Sequence, residues 1–183
     1  MTTWIALLRG VNVGGRHLVP MKTLKTELEA LGLTDIKTYI QSGNIVFRDS
    51  TRTAAALAAE IGNAINARFG FEPYVAVISF KDFASSATGN PFHKSMTDEN
   101  GKTLHLFFLD KTPLDLDQNR LEAIRQPSER WQLNGQVFYL HTPEGYGNSK
   151  LAAQVEKILG VATTARNWRT VCALLELADP GTS

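Results

Sequence analysis

An order of short apolar runs, met twice along the chain, constrains the fold more than any other feature of the sequence. Residues 4–8 form an unbroken apolar run and residues 9–15 a glycine-rich break. Pro20 then stands where a helix can open, because a first turn does not need its missing N–H. Met21, Leu24, Leu28 and Leu31 recur at helical spacing, with Gly32 where a left-handed C-cap is expected. Two strand-like runs, 36–41 and 44–47, flank Ser42-Gly43 at the spacing of a tight hairpin. Leu57, Ile61, Ile65 and Phe69 mark a second helix closed by Gly70, and residues 74–80 read as a further strand. The first half is therefore β-α-β-β-α-β, the split βαβ order of ferredoxin-like folds.

The second half repeats most of that order. Residues 104–109 are a strand, and Pro113 introduces a helix carrying Leu116, Leu121 and Ile124. Residues 130–133 and 136–141 flank Asn134-Gly135, a strong hairpin signal. Leu151, Val155, Ile158 and Leu159 form another amphipathic helix, and a last helix with Trp168, Val171, Leu174 and Leu175 on one face takes the place of a closing strand. The expected class is α+β: two ferredoxin-like halves, βαββαβ then βαββαα, with largely antiparallel sheets and helices packed on them. The expected organisation is an N-terminal lobe over 1–80, a connecting segment over 81–103 and a C-terminal lobe with an extra helix over 104–183.

Composition narrows the function classes. With 183 residues, 43% of them hydrophobic, the chain can build a core without metal or disulfide help. Lys+Arg 19 against Asp+Glu 18 leaves a formal net charge of +1, which argues against a protein that coats nucleic acid generally but permits a local pole. The single cysteine, Cys172, excludes an internal disulfide and a cysteine zinc site, and its apolar neighbours on the last helix predict a buried, unreactive thiol. The apolar runs are far shorter than the roughly 18 residues of a membrane span and nothing resembles a signal peptide, so the expected location is cytoplasmic, with no membrane partner. Four strands are apolar at consecutive positions, which implies sheets covered on both faces and weakens an RNA-recognition reading that needs one open aromatic face.

The glycine-rich stretch Gly10-Val11-Asn12-Val13-Gly14-Gly15-Arg16-His17 has a phosphate loop's glycines, but Arg and His follow where Lys and Ser/Thr should. No metal or cofactor is implied. The topology places this stretch beside the hairpin, so Arg9, Asn12, Gly14, Gly15, Arg16 and Lys22 should meet Gln41, Ser42 and Asn44 and together suit an oxyanion. Residues 1–26 hold Arg9, Arg16, Lys22 and Lys25 and no acid. Arg166, Asn167 and Arg169 read as the cationic first turn of the last helix behind a Thr163 or Thr164 cap, against the helix dipole, and Lys150 follows a capping Ser149. Two helix starts that break the same rule suggest an anionic partner.

The ordered blocks Leu8-Arg9-Gly10-Val11-Asn12-Val13-Gly14-Gly15, residues 21–32, residues 38–47, Ser149-Lys150-Leu151 and residues 164–170 make the sequence resemble the bacterial domain-of-unknown-function 1697 family over nearly its whole length. The resemblance implies a fold of two related α/β halves and brings no activity, substrate or cofactor. Three functions follow as expectations. The first is a binding module for an anionic, phosphate-containing ligand: a nucleotide, a phosphometabolite or, less favoured, a short nucleic-acid segment. The second is a metal-independent enzyme acting on a small polar or phosphorylated substrate. The third is a protein-interaction or dimeric structural unit, the chain being a monomer or homodimer.

Overall fold

The computed structural model describes residues 1–92, 101–179 and 181, so His93 and most of the second part of the connecting segment lie outside the described residues. The chain divides into two compact units, Met1–Ser85 with Ala173–Ser183, and Ser86–Cys172.

In the first unit β1 (Thr2–Leu8), α1 (Met21–Ala30), β2 (Thr34–Tyr39), β3 (Asn44–Asp49), α2 (Ala54–Phe69) and β4 (Val75–Ser79) follow in the expected order. The sheet runs β2-β3-β1-β4 and every pairing is antiparallel. Because β1 and β2 are both antiparallel to β3, they are parallel to each other and end at the same edge. Ala6, Leu8, Ile45 and Phe47 pack with Leu24 and Leu28 of α1 and Leu57, Ile61 and Ile65 of α2. Ile5 and Leu7 are also fully buried, so both faces of β1 are covered, as its unbroken apolar run requires. The turn between β3 and α2 is fixed by Arg52, which donates to Asp49 at 2.6 Å, to Glu60 at 2.7 Å and to the Leu31 carbonyl at 3.0 Å. Hydrogen bonding from Arg52 holds the Asp49 carboxyl down at about 2.

The second unit repeats the frame with β5 (Leu104–Leu109), α4 (Gln118–Ile124), β6 (Arg130–Asn134), β7 (Val137–His141), α5 (Lys150–Leu159) and β8 (Thr163–Asn167). Its sheet order, β6-β7-β5-β8, is the counterpart of the first. Phe107, Leu109, Phe138 and Leu140 pack with Leu121 of α4 and Leu151 and Val155 of α5. Trp131 stacks on Phe138 at 5.5 Å, which assigns both rings to packing.

The duplicated α+β architecture is present, and it is more complete than the sequence pattern predicts. Residues 163–167, expected at the start of the last helix, form β8 and pair with β5 from Leu109↔Thr163 to His105↔Asn167. Thr163 and Thr164 are therefore buried strand residues and not helix caps; β-branched side chains favour the pleated backbone, and without them β5 would lack a partner on that side. The cap of α6 (Trp168–Ala178) is Asn167, whose Oδ1 accepts from the Thr170 N–H at 2.9 Å. The first half ends the same way. Ser79 Oγ accepts from the Asp82 N–H at 3.1 Å, and α3 (Phe80–Thr88) follows β4 without a loop, inside the segment expected to be a plain connection. Each half thus reads βαββαβα.

Smaller differences are local. Tyr39 pairs with Asn44, so residues 40–43 make a longer turn than the expected two-residue one. Asn134 pairs with Val137, so the second hairpin turns on Gly135-Gln136, one residue later than expected, with Gly135 at φ 58° in the first central position as a type II′ turn requires. The helix after Pro113 begins only at Gln118, capped by Asp117. Cys172, expected to be buried, is half-buried: Val171 and Leu174 form the inward face of α6 and Cys172 lies at its margin. No helix of the described residues is long and apolar enough to cross a membrane.

Candidate functional site

The edge where β1 and β2 end carries the candidate site. The Leu8 N–H donates to the Gly43 carbonyl at 2.8 Å and the Arg9 N–H to the Tyr74 carbonyl at 2.9 Å, so the chain leaves β1 pinned on both sides. It then folds back on itself. The Arg16 N–H donates to the Val13 carbonyl at 3.0 Å and the Asn12 N–H to the His17 carbonyl at 3.0 Å. Gly14 and Gly15 between them have φ of 58° and 73°, positive at both central positions, which is the condition of a type I′ hairpin turn. The glycine-rich stretch is therefore a miniature hairpin finger. It is not a cradle running into a helix, because Pro20 and the start of α1 at Met21 come several residues later.

Two amides expected to face a ligand are spent on holding this finger in place. Asn12 donates from Nδ2 to the carbonyls of Val19 at 3.0 Å and Gln41 at 2.7 Å and accepts at Oδ1 from the Val19 N–H at 2.8 Å. It staples the finger to the β2–β3 turn. Asn44 is fully buried and donates to the Tyr39 carbonyl and to Ser42 Oγ at 2.8 Å, closing that turn from within. Gly43 lies so close that a Cβ there would stand 2.6 Å from Leu8 Cβ and 2.7 Å from Val11 Cγ2. The His17 ring stacks on Phe71 at 4.3 Å, and its Nδ1 meets the Gly10 carbonyl at 3.1 Å.

What the rim presents outward is cationic, polar and aliphatic. Arg9, Arg16, Lys22 and Gln41 are exposed, as are Gly14 and Gly15, while Ser42 is half-buried. Val13, Leu18 and Ile40 also stand in solvent, 64%, 65% and 55% exposed, and the sequence pattern missed all three. Ile40, expected in a strand, has φ of 47°. Left-handed backbone is costly for a β-branched residue. Asn12 at 54° and His17 at 51° share that conformation, so three of the four non-glycine residues with positive φ among the described residues lie in this one rim. Such concentration of backbone strain is characteristic of working surfaces.

The other expected residues belong to the second unit. Lys150 is exposed at the start of α5, where Ser149 accepts from the Ala152 N–H at 2.9 Å. Arg166 points from β8 into protein, where burial pushes its guanidinium down to about 10 and Nη1 donates to Thr164 Oγ1 at 3.0 Å and the Ala165 carbonyl at 2.8 Å. Asn167 is the cap of α6. Of the expected cationic helix start only Arg169 remains, exposed in the first turn. Two clefts elsewhere contain internal ion pairs. One of about 290 Å³ holds the Arg48–Asp35 pair at 3.2 Å and Lys37, which donates to the Leu177 carbonyl. In the other, of about 420 Å³, Glu122 accepts from both Arg125 and Trp131. Among the described residues no group of three or more His, Cys, Asp or Glu could hold a metal ion.

A family model described as "Protein of unknown function (DUF1697)" matches residues 1–139, a span that includes the whole rim. No curated protein matches the chain. Among solved structures the chain is similar to the conserved bacterial protein SP0830 from Streptococcus pneumoniae, with a TM-score of 0.71 and 24% identity over 97% of this chain and 99% of that one, a likeness of fold.

Proposed function

Starting from a chain that belongs to the DUF1697 family of proteins of unknown function, we propose that it is a cytoplasmic binding module whose N-terminal rim takes an anionic, phosphate-bearing ligand. One observation carries the reading: residues 1–26 contain cations and no acid, and the finger between Arg9 and Arg16 is built on left-handed backbone and tied to the β2–β3 turn by Asn12, with Lys22 following on α1. A rigid display of guanidinium and ammonium groups beside glycine N–H groups binds oxyanions at low ordering cost. The exposed aliphatic side chains of the rim favour a second, compatible reading as an interaction surface.

Thermal unfolding followed with inorganic phosphate, tripolyphosphate, a nucleoside triphosphate and a short single-stranded oligonucleotide tests the proposal. Stabilisation should rise with phosphate count and be lost in Arg9→Ala/Arg16→Ala, with each arginine worth about 1.5–3 kcal/mol of binding. Equal stabilisation of wild type and double variant would overturn it.

A further inference from the structure

Apart from Met1, the large apolar side chains exposed among the described residues are Val13, Leu18, Ile40 and Leu114, the last at 102%. All four lie on connections at the same end of a half. Three belong to the rim of the first, and Leu114 sits between β5 and α4 of the second. Those two regions occupy matched positions. In the first half the Leu8 N–H donates to the Gly43 carbonyl and the Arg9 N–H to the Tyr74 carbonyl; in the second the Leu109 N–H donates to the Gln136 carbonyl at 2.9 Å and the Asp110 N–H to the Ala162 carbonyl at 3.1 Å. At the matched position the halves carry opposite charges, Arg9 and Asp110. The first connection continues with Arg16, and Lys22 follows in the first turn of α1; the second continues with Asp115 and Asp117, both just after Leu114, with Lys111 its one cation before α4.

A cationic rim with an aliphatic lip and an acidic connection with a fully solvated leucine are complementary in charge and in polarity. We propose that the rim receives the β5–α4 connection of a second copy of this chain, with Leu114 seated among Val13, Leu18 and Ile40 and the carboxylates of Asp110 and Asp115 facing Arg9 and Arg16. The inference rests on the rim being an anion-binding surface and names one occupant of it. A carboxylate-bearing partner and a phosphate-bearing ligand then compete for the same cations, and self-association is regulated by whichever anion is present.

Sedimentation of the full chain at low salt over a range of concentrations tests this, with Leu114→Asp and the mixed pair Arg16→Glu and Asp115→Lys as variants whose folding is checked by circular dichroism. Wild type should associate, added phosphate or salt should dissociate it, and Leu114→Asp should weaken association about tenfold or more. Neither Arg16→Glu nor Asp115→Lys alone should associate as wild type does, and mixing them should restore assembly. A wild type that stays a single chain throughout, or association unchanged in Leu114→Asp, would overturn the inference. Leu114→Asp also separates the two readings. If it and wild type are stabilised by phosphate while neither associates, the copy-to-copy contact fails and the rim reading stands; if phosphate stabilises neither, both fail together.

Discussion

In both halves the turn between the second and third strands accepts a hydrogen bond from the central strand, at Gly43 and at Gln136, but only in the first is a glycine of the turn packed hard against that strand. A Cβ on Gly43 would collide with Leu8 and Val11, but one on Gly135 would meet nothing within 4 Å. Asn12 ties the first connection to its hairpin with a bond of 2.7 Å, and the nearest counterpart in the second half is Gln136 Nε2 to the Asp110 carbonyl at 3.5 Å. The shared sheet order sets where the two connections emerge. What differs is how each connection is tied to its hairpin and the charge it carries. A frame fixes position while the residues hung on it decide the chemistry.

Alanine at the turn glycine of each hairpin gives the largest expected contrast. Gly43→Ala combines a positive φ with a collision and should cost about 4 kcal/mol, whereas Gly135→Ala carries only the φ penalty of about 1 kcal/mol. Urea unfolding of the two variants measures the difference, and equal losses would show the two turns to tolerate a side chain equally.

Acid should separate the halves next. Trp4 and His105 hold equivalent registers, opposite Ser79 and Asn167 respectively, but only the second can titrate. Burial pushes the His105 imidazole down to about 4, with its ring stacked on Tyr146 at 3.8 Å, and burial lowers His141 in the same direction. The unfolded imidazole takes its proton near the ordinary value of 6.5 and the folded one does not, so stability is intact above 6.5 and lost as pH falls through about 4, a loss of roughly 3 kcal/mol from His105. The first half holds its Asp49 contribution, roughly 2 kcal/mol, until pH falls below 3.8 and through about 2. Unfolding at pH 7 and 4.5 should show a marked drop for wild type and a much smaller one for His105→Phe.

The staples should differ less. Asn12→Ala leaves the Val19 N–H and the Val19 and Gln41 carbonyls without their partner and should cost about 2 kcal/mol. Gln136→Ala removes only a long, exposed contact and should stay within about 0.5 kcal/mol of wild type. A Gln136→Ala loss as large as that of Asn12→Ala would show the second connection to be fixed as firmly as the first.

The elements that announced themselves in sequence are those whose apolar spacing is matched by a cap: α2 ends in left-handed Gly70, α5 opens at Ser149 and ends in Gly160. The strand β8 was hidden because Thr-Thr-Ala-Arg-Asn has no apolar alternation; its place is set by pairing with β5, over fifty residues earlier in the chain. In the same way α3 hid in a stretch rich in Ser and Thr, with Phe83 its one fully buried aromatic. At the rim, the meeting of residues 9–15 with the hairpin was legible from topology alone. The use of Asn12 and Asn44 was not, since a side-chain amide reads the same whether it faces a ligand or a backbone carbonyl 29 residues away. Ile40 carries the β-branching of a strand residue, and only the closure of the turn forces it into left-handed backbone.

Amide chemical shifts of the Leu114→Asp chain, titrated with inorganic phosphate and then tripolyphosphate, test most directly whether the first half's rim is the anion-binding surface; the substitution keeps a second copy from occupying it. Saturable shifts should be confined to residues 9–22 and 40–44, stronger for tripolyphosphate, with residues 110–117 unmoved. Shifts that fall on residues 110–117, or a rim that does not respond to either anion, would contradict that role for the rim.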